Sequence, residues 1–261
     1  MLRKSFFPSR TNARVAGLFA IAVLAVALAN TASPSLAQNV SKKQRKPEAL
    51  ILGDSVMSIL GVGDEALAAL NKKHPVILGA RPCQLLLKPG CIPETKESAL
   101  EIFRKSKGKF SDVVVVATGY NEYSDQFLTD ALAEFKKEAK RQKVSLVWLT
   151  YRENGNVKNK STRFNSMLRK AAKKDPSLFL YDWNEHSLGK NGWFSGDKIH
   201  MSRRGGMYMA LYLSRTIREV MAIRTAPKET TTTTSTTTSM VPETTVPITV
   251  PAETTTVVPA G

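Results

Sequence analysis

Short apolar runs alternate with longer amphipathic stretches through the middle of this 261-residue chain. Each run has the length of a strand and is bounded by polar or turn-forming residues. The clearest lies at 112–118, where four consecutive valines indicate a strand buried on both faces. The five predicted strands are 49–52, 75–78, 112–118, 145–150 and 178–181.

The stretches between these runs space their apolar residues as helices do. Gly61 and Gly63 weaken the middle of the first predicted helix. Strands that alternate with helices indicate parallel βαβ units. We therefore expect one α/β domain, a three-layer α/β/α sandwich around a five-stranded parallel sheet. The predicted helices are 56–70, 98–105, 125–142, 162–174 and about 202–221.

Both ends of the chain differ from this middle part. Residues 1–37 contain a basic start, an apolar run at 15–29 and small residues near Ala37. This pattern predicts a secretory signal peptide, because the apolar run is shorter than the roughly 20 residues that span a bilayer. An uncleaved N-terminal anchor is the alternative. In either case we expect a secreted or envelope-associated protein outside the cytoplasm.

The remaining boundaries follow from composition. Residues 38–47 form a basic leader, and residues 48–225 form the predicted domain. Residues 226–261 are rich in Thr and Pro and offer little to a core, so we expect a disordered tail. The tail is either a functional segment, as a spacer or a target for O-glycosylation, or a solvated segment that has no function.

The chain is strongly basic, with a formal net charge of +16 at pH 7. Such a surface attracts anionic polymers, and outside the cytoplasm these are wall polymers or anionic lipid headgroups. General solubility is the other explanation for the charge. We expect no nucleic-acid partner, because no recognition motif is present and the predicted export signal argues against one. We expect a monomer.

Two cysteines, Cys83 and Cys91, flank a Pro-Gly turn at 89–90. In an oxidising compartment this arrangement predicts a disulfide. A zinc site needs more ligands than two cysteines, and the three histidines are scattered. We expect neither a metal nor a cofactor.

Four polar residues have the chemistry of acyl transfer. A serine nucleophile needs a base, a group that orients the base, and donors for the oxyanion. Ser55 follows the first strand where a helix begins, Asp197 precedes His200 by three residues, and Asn121 follows the third strand. The carboxyl ends of parallel strands share one edge of a sheet, so Ser55 and Asn121 should meet there. Taken singly, each motif is also typical of ordinary turns and helix caps.

Three segments carry a family resemblance. The segment 50–56 resembles the first block of the SGNH (GDSL-like) hydrolases, 119–122 resembles their Gly-x-Asn-Asp block, and 197–200 resembles their Asp-x-x-His block. Within the superfamily, two stretches are most similar to the SGNH domains of bacterial cell-envelope O-acyltransferases and their stand-alone relatives. They are 53–57 and 182–200, the latter with Asp182-Trp183 and Trp193-Phe194 before the last block. The resemblance implies a flavodoxin-like sheet.

The resemblance also implies roles for individual residues. Ser55 would be the nucleophile, His200 the general base and acid, Asp197 its partner, and Asn121 an oxyanion donor beside the Ser55 N–H. The family uses a glycine after the second strand as a further oxyanion donor, and here Cys83 stands in that place with its backbone N–H. Glu122 replaces the usual Asp of the third block.

Two arginines also follow predicted strands. Arg81 and Arg152 would lie at the active edge of the sheet, where they either hold an anionic substrate or are simply solvated.

The leading hypothesis is an exported serine esterase that hydrolyses or transfers short acyl groups, above all O-acetyl groups, on an envelope polysaccharide or another ester. The alternative is a non-catalytic wall-binding module with a relic triad. A long-chain lipase is a third possibility, but no apolar lid segment supports it.

Overall fold

The computed structural model describes residues 45–226. The predicted signal or anchor at 1–37, most of the basic leader and the tail from 227 onward therefore lie outside the described residues.

A five-stranded parallel sheet runs through the middle of the domain in the order β2-β1-β3-β4-β5. The strands match the predicted ones in number and order, with ends that differ by at most two residues. The order reverses between β1 and β3, which is the point where ligands bind in open α/β sheets. The strands are β1 (Ala49–Gly53), β2 (Val76–Ala80), β3 (Val113–Ala117), β4 (Ser145–Leu149) and β5 (Leu178–Tyr181).

Seven α-helices and three short 3₁₀ turns connect the strands within residues 45–226. The 3₁₀ turns are Ile59–Gly61, Gly155–Val157 and Asn191–Trp193. The helices are α1 (Ser55–Ser58), α2 (Glu65–Lys73), α3 (Ala99–Lys105), α4 (Asp125–Gln142), α5 (Lys158–Lys174), α6 (Trp183–His186) and α7 (Arg203–Thr225).

Helices cover both faces of the sheet, as the valine-rich strands require. In β3, Val113 and Val115 pack against α1, α2 and α7, while Val114 and Val116 face α3, α4 and α5. All four valines are fully buried. The predicted three-layer α/β/α sandwich is therefore confirmed.

The first predicted helix is broken into three pieces. The chain passes from α1 through the 3₁₀ turn Ile59–Gly61 to α2, because Gly63 and Asp64 adopt left-handed backbone conformations with φ of 77° and 57°. The apolar side chains keep a helix-like spacing across the break, because all three pieces pack on the same face of the sheet. The expectation of a single helix over 56–70 was wrong.

None of the helices within residues 45–226 combines the length and the apolar composition that crossing a bilayer requires.

The start of α7 lies against the loop that precedes it. Ser202 caps the helix by accepting a hydrogen bond from the Gly205 N–H, and its own N–H donates to the Trp193 carbonyl at 2.9 Å. A Cβ atom at Gly205 would lie 1.9 Å from the Trp193 carbonyl oxygen. Glycine at this position therefore allows the helix to approach the backbone of the loop.

Gly205→Ala should destabilise the domain, although alanine favours helices over glycine. We expect the free energy of unfolding to fall by about 2 kcal/mol or more, because the new methyl group meets a backbone atom that cannot move aside cheaply. Gly206→Ala is the matched control, since its Cβ would meet only the Ile59 side chain at 3.2 Å. Urea unfolding of both variants tests this, and a stabilised Gly205→Ala protein would contradict it.

Candidate active site

Three side chains from two distant parts of the chain meet beyond the carboxyl ends of β1 and β3. The Ser55 Oγ lies 2.8 Å from the His200 Nε2, and the His200 Nδ1 lies 2.5 Å from the Asp197 Oδ2. An ionised carboxylate can only accept, so the imidazole proton lies on Nδ1. Nε2 is then free to accept the proton of the serine hydroxyl, which is the arrangement that a nucleophilic serine needs.

A tight loop holds Asp197 and His200 together. Phe194 and Met201 pair as an antiparallel bridge at its base, and the Ser195 N–H donates to the His200 carbonyl at 2.8 Å. Lys198 makes the turn with a left-handed φ of 63°. The side chain of Asp197 is therefore turned back toward His200.

The second oxygen of Asp197 is also occupied. It accepts hydrogen bonds from the Ile199 and His200 N–H groups, each at 3.0 Å. Desolvation by itself would raise the pKa of Asp197, but the hydrogen bonds from the His200 ring and these two N–H groups outweigh it and lower the pKa. The carboxylate therefore stays ionised beside the imidazole, where it can stabilise a positive charge.

Asp54 joins the end of β1 to the end of β3. Its fully buried carboxyl caps α1 by accepting from the Val56 N–H at 3.0 Å, and its other oxygen accepts from the Gly119 and Tyr120 N–H groups at 3.2 and 3.3 Å. Burial raises the pKa of Asp54, and these N–H donors partly offset the effect. The residues before Ser55 and before Asn121 are thus bonded to one another.

The oxyanion donors expected from the sequence lie around this junction. Within residues 45–226, no protein acceptor pairs with the N–H of Ser55 or of Cys83. The Asn121 amide makes one long contact, 3.4 Å, to the Gln84 carbonyl. The Arg81 N–H donates to the Gly53 carbonyl at 3.1 Å, which places the segment 81–84 beside the strand that leads to Ser55.

Cys83 occupies a backbone conformation that favours glycine. The Gln84 N–H closes a turn onto the Arg81 carbonyl at 3.3 Å, with Pro82 second and Cys83 third at a φ of 57°. A left-handed conformation costs a residue with a Cβ roughly 1–2 kcal/mol. This requirement gives a physical reason for the glycine that the SGNH resemblance leads one to expect there.

The predicted disulfide between Cys83 and Cys91 is present, with the two Cα atoms 5.4 Å apart. The Cys91 N–H also donates to the Cys83 carbonyl at 3.2 Å, and the Thr95 hydroxyl donates to the Pro82 carbonyl at 2.7 Å. The crosslink and these two bonds hold the turn that presents the Cys83 N–H.

Glu122 connects the third block to the same turn region. Its buried carboxyl accepts from the Leu86 N–H at 2.5 Å. The Lys160 ammonium donates to the backbone carbonyls of Tyr120 and Glu122 at 2.6 and 3.0 Å. Burial raises the pKa of Glu122, although the Leu86 N–H and Lys160 partly offset it. The Glu122 carboxyl therefore ties the loop that carries Asn121 to the segment that follows Cys83.

Arg152 does not face the site, and the expectation that it binds substrate is corrected. Only 4% of the residue is exposed, and its guanidinium lies 3.7 Å from the centre of the Phe194 ring. It donates to the carbonyls of Lys198 and Ser187, each at 2.8 Å. These bonds connect β4 to the loop that carries Asp197 and His200, so Arg152 is a positioning residue.

Arg81 remains at the surface of the active edge. Its side chain is 48% exposed and lies 3.6 Å from the Glu97 carboxylate. A substrate contact from this arginine stays a prediction.

Sequence reasoning missed the fixed positions around the triad. In the sequence, Asp54 stands out only as part of the first block, and Glu122 only as a departure from the third block. Gly155 was not singled out, yet a Cβ there would lie 2.5 Å from the Asp197 carbonyl oxygen. A polar residue within two positions of the end of a predicted strand was the available signal for Asp54 and Arg152. Gly155 offered no comparable signal.

No family model matches this sequence, and no curated protein matches it either. Solved structures do resemble it. The catalytic domain of peptidoglycan O-acetyltransferase A from Streptococcus pneumoniae aligns over 68% of this chain and 94% of its own, with a TM-score of 0.51 and 18% identity. The chain has the fold of the SGNH/GDSL hydrolases.

Two further structures support this SGNH fold. A GDSL-like lipase from Bacteroides thetaiotaomicron aligns over 70% of this chain and 92% of its own, with a TM-score of 0.53 and 15% identity. A candidate acylhydrolase from Bacteroides fragilis aligns over 69% of this chain and 96% of its own, with a TM-score of 0.54 and 14% identity. At such identities the likeness lies in the fold, and the chemistry must be argued from the residues of this chain.

Substitutions of the buried Arg152 and the exposed Arg81 test whether Arg152 supports the loop of Asp197 and His200. Arg152→Lys should lower the free energy of unfolding by about 2 kcal/mol or more, because lysine lacks the planar fork and leaves buried carbonyls unpaired. Arg81→Lys is the matched control and should change it by less than about 0.5 kcal/mol, as is usual for an exposed residue. Urea unfolding measures both, and equal effects would contradict the positioning role.

The raised pKa of Glu122 predicts a pH dependence. The folded protein holds the proton of Glu122 more tightly than the unfolded chain, so stability falls as the pH rises from about 4.3 through the raised value. Glu122→Gln keeps an acceptor for the Leu86 N–H but cannot ionise. The variant should therefore gain stability relative to the wild type as the pH rises.

Urea unfolding across this pH range measures the difference, with Glu94→Gln as the control for the loss of one exposed negative charge. A Glu122→Gln difference that is constant with pH would show that Glu122 does not titrate as proposed.

Proposed function

We propose that this protein is a serine esterase that acts on ester-linked acyl groups through an acyl-serine intermediate. The observation that carries the proposal is the continuous line of contacts from the Ser55 hydroxyl through the His200 ring to Asp197, at 2.8 and 2.5 Å. A serine hydroxyl becomes a nucleophile at neutral pH when such a base removes its proton.

In the first step the Ser55 Oγ attacks the carbonyl carbon of the ester while its proton moves to the His200 Nε2. The carbonyl oxygen becomes an oxyanion, which the N–H groups of Ser55 and Cys83 and the Asn121 amide are suited to stabilise. The first of these lies at the N-terminus of α1, where unpaired N–H groups favour negative charge. Collapse of the intermediate breaks the ester bond, and His200 returns the proton to the leaving alcohol.

In the second step a hydroxyl group attacks the acyl-serine and gives its proton to His200, which then passes it to the Ser55 Oγ. Water as the attacking group gives hydrolysis, and a sugar hydroxyl gives transfer. The side chains of His200 and Asp197 are 48% and 47% exposed, so water reaches the base directly. We therefore favour hydrolysis.

The proposed substrate is a short acyl ester, above all an O-acetyl ester, on an envelope polysaccharide. The exposed triad suits an ester on a polymer chain, because such a chain can lie across an open edge. The peptidoglycan O-acetyltransferase of similar fold and the expected export of this protein support the same substrate class.

The test is turnover of p-nitrophenyl acetate together with labelling by a fluorophosphonate. We expect the wild-type protein to hydrolyse the ester and to be labelled at Ser55. Ser55→Ala should remove the label and lower kcat by on the order of 10³-fold or more, because the oxyanion donors alone retain little catalysis.

Lys137→Gln, at an exposed position of α4 away from the triad, serves as a folded control and should be labelled like the wild type. A folded wild-type protein that is neither labelled nor active would leave only the wall-binding module as an explanation. For an active wild-type protein, incubation with acetylated polysaccharides identifies the polymer by the acetate released, with Ser55→Ala as the blank.

A further inference from the structure

The positive charge of this domain is concentrated at one edge of the sheet. Because the five strands are parallel and in register, the segments that lead into them share one edge, and the segments that follow them share the other. We call the first the basic edge and the second the catalytic edge. The basic edge consists of residues 45–48, 72–75, 105–112, 140–144 and 173–177.

The two edges differ sharply in composition. The basic edge carries twelve Lys and Arg residues against three Asp and Glu residues. The catalytic edge carries ten Lys and Arg residues against eleven Asp and Glu residues. It is counted over residues 54–65, 81–97, 118–125, 150–160 and 182–204. The high net charge of the domain therefore does not surround the active site but lies at the opposite end of the strands.

The acidic residues of the basic edge are already paired. Glu48 lies 2.6 Å from Arg45 and 2.7 Å from the His74 ring, and Asp175 lies 2.8 Å from Lys136. Nine exposed lysines of this edge have no carboxylate within 4.0 Å in the part of the chain that the structure describes. They are Lys46, Lys72, Lys73, Lys107, Lys109, Lys140, Lys143, Lys173 and Lys174.

Helix dipoles account for only some of these lysines. Cations in the last turn of a helix stabilise it, and the pairs at 72–73 and 173–174 end α2 and α5. Lys46, Lys107 and Lys109 lie outside any helix, so no dipole explains them. A surplus of unpaired, exposed cations on one surface raises the potential there and attracts anions.

The basic edge is broad. Five strands spaced about 4.8 Å apart make the sheet alone roughly 19 Å wide, and the lysines precede strands across its whole width. A surface of this kind fits a planar array of negative charges better than a single narrow chain. Anionic lipid headgroups at a membrane surface form such an array.

Both ends of the described chain also lie at this edge. Residue 45 leads directly into β1, and Arg224, one residue before the end of α7, donates to the carbonyls of Lys143 and Asp112 at 2.6 and 3.4 Å. Upstream of residue 45, the sequence adds Lys42 and Lys43. Residues 30–44 separate the apolar run 15–29 from the domain, and fifteen residues span at most about 50 Å.

We propose that the basic edge docks on a membrane surface that carries anionic lipids. Docking in this orientation turns the catalytic edge away from the bilayer, by at least the length of a five-residue strand. Ser55 and His200 then face the polymers that lie outside the membrane. The proposal concerns a surface separate from the active site and does not depend on the proposed esterase activity.

The test compares partition of the full chain onto vesicles of phosphatidylcholine with and without phosphatidylglycerol. The N-terminal segment is the same in every variant, so its contribution is measured by the phosphatidylcholine vesicles. We expect the wild type to prefer the anionic vesicles by at least about tenfold. The preference should fall as salt is added, because salt screens exposed charges.

The variant replaces Lys72, Lys73, Lys173 and Lys174 by Gln, and it should lose most of the tenfold preference. The matched control replaces Lys88, Lys96, Lys158 and Lys190 of the catalytic edge by Gln and has the same net charge. It should keep the preference within about threefold. A second variant, Lys107→Gln with Lys109→Gln, changes only a loop and covers the case in which the fourfold variant fails to fold.

Three results would overturn the proposal. The first is equal partition of the wild type onto both kinds of vesicle. The second is an equal loss in the basic-edge variant and its control, which would mean that net charge alone attracts the protein. The third is binding to a soluble polyphosphate chain without binding to the anionic vesicles, which would assign the edge to an anionic polymer.

Discussion

The buried carboxyl of Asp54 is the contact on which the geometry of the site depends. It caps the short helix that begins with Ser55 and accepts from the backbone after β3, and so it holds two strand ends in one relative position. A carboxyl without a counter-ion is costly to bury. Backbone N–H groups from both strands offset that cost, and they can do so only while the two ends stay together.

Similar buried polar contacts fix the rest of the site, although the triad itself is not enclosed by protein. Arg152 fixes the loop of Asp197 and His200 from beneath, and Glu122 fixes the backbone beside Asn121. These side chains are buried, whereas the triad is open to solvent. The rigidity that a reactive serine needs therefore comes from the layer below the reacting atoms, and the surface stays accessible to a large substrate.

The parallel sheet also separates two kinds of chemistry. Segments that follow the strands carry the triad and are nearly balanced in charge, while segments that lead into the strands carry most of the surplus lysines. Because segments that follow parallel strands share one edge and segments that precede them share the other, the triad and the surplus lysines lie at opposite edges. A protein built in this way can present one edge to an anionic surface and the other to its substrate.

The sequence by itself determined the layers of the fold and the residues that meet. Apolar runs and their spacing report local burial, so the strands and most helices could be predicted, as could the meeting of Ser55 and Asn121 at one edge. The family resemblance implied that Asp197 and His200 join them. The break at Gly63 and Asp64 was only hinted at by glycine. Tertiary structure alone decided that Arg152 is buried and that Gly155 and Gly205 allow close backbone approaches. It also decided that Glu122 reaches the Leu86 N–H. These features depend on contacts between residues far apart in the chain, and local patterns carry no information about such distances.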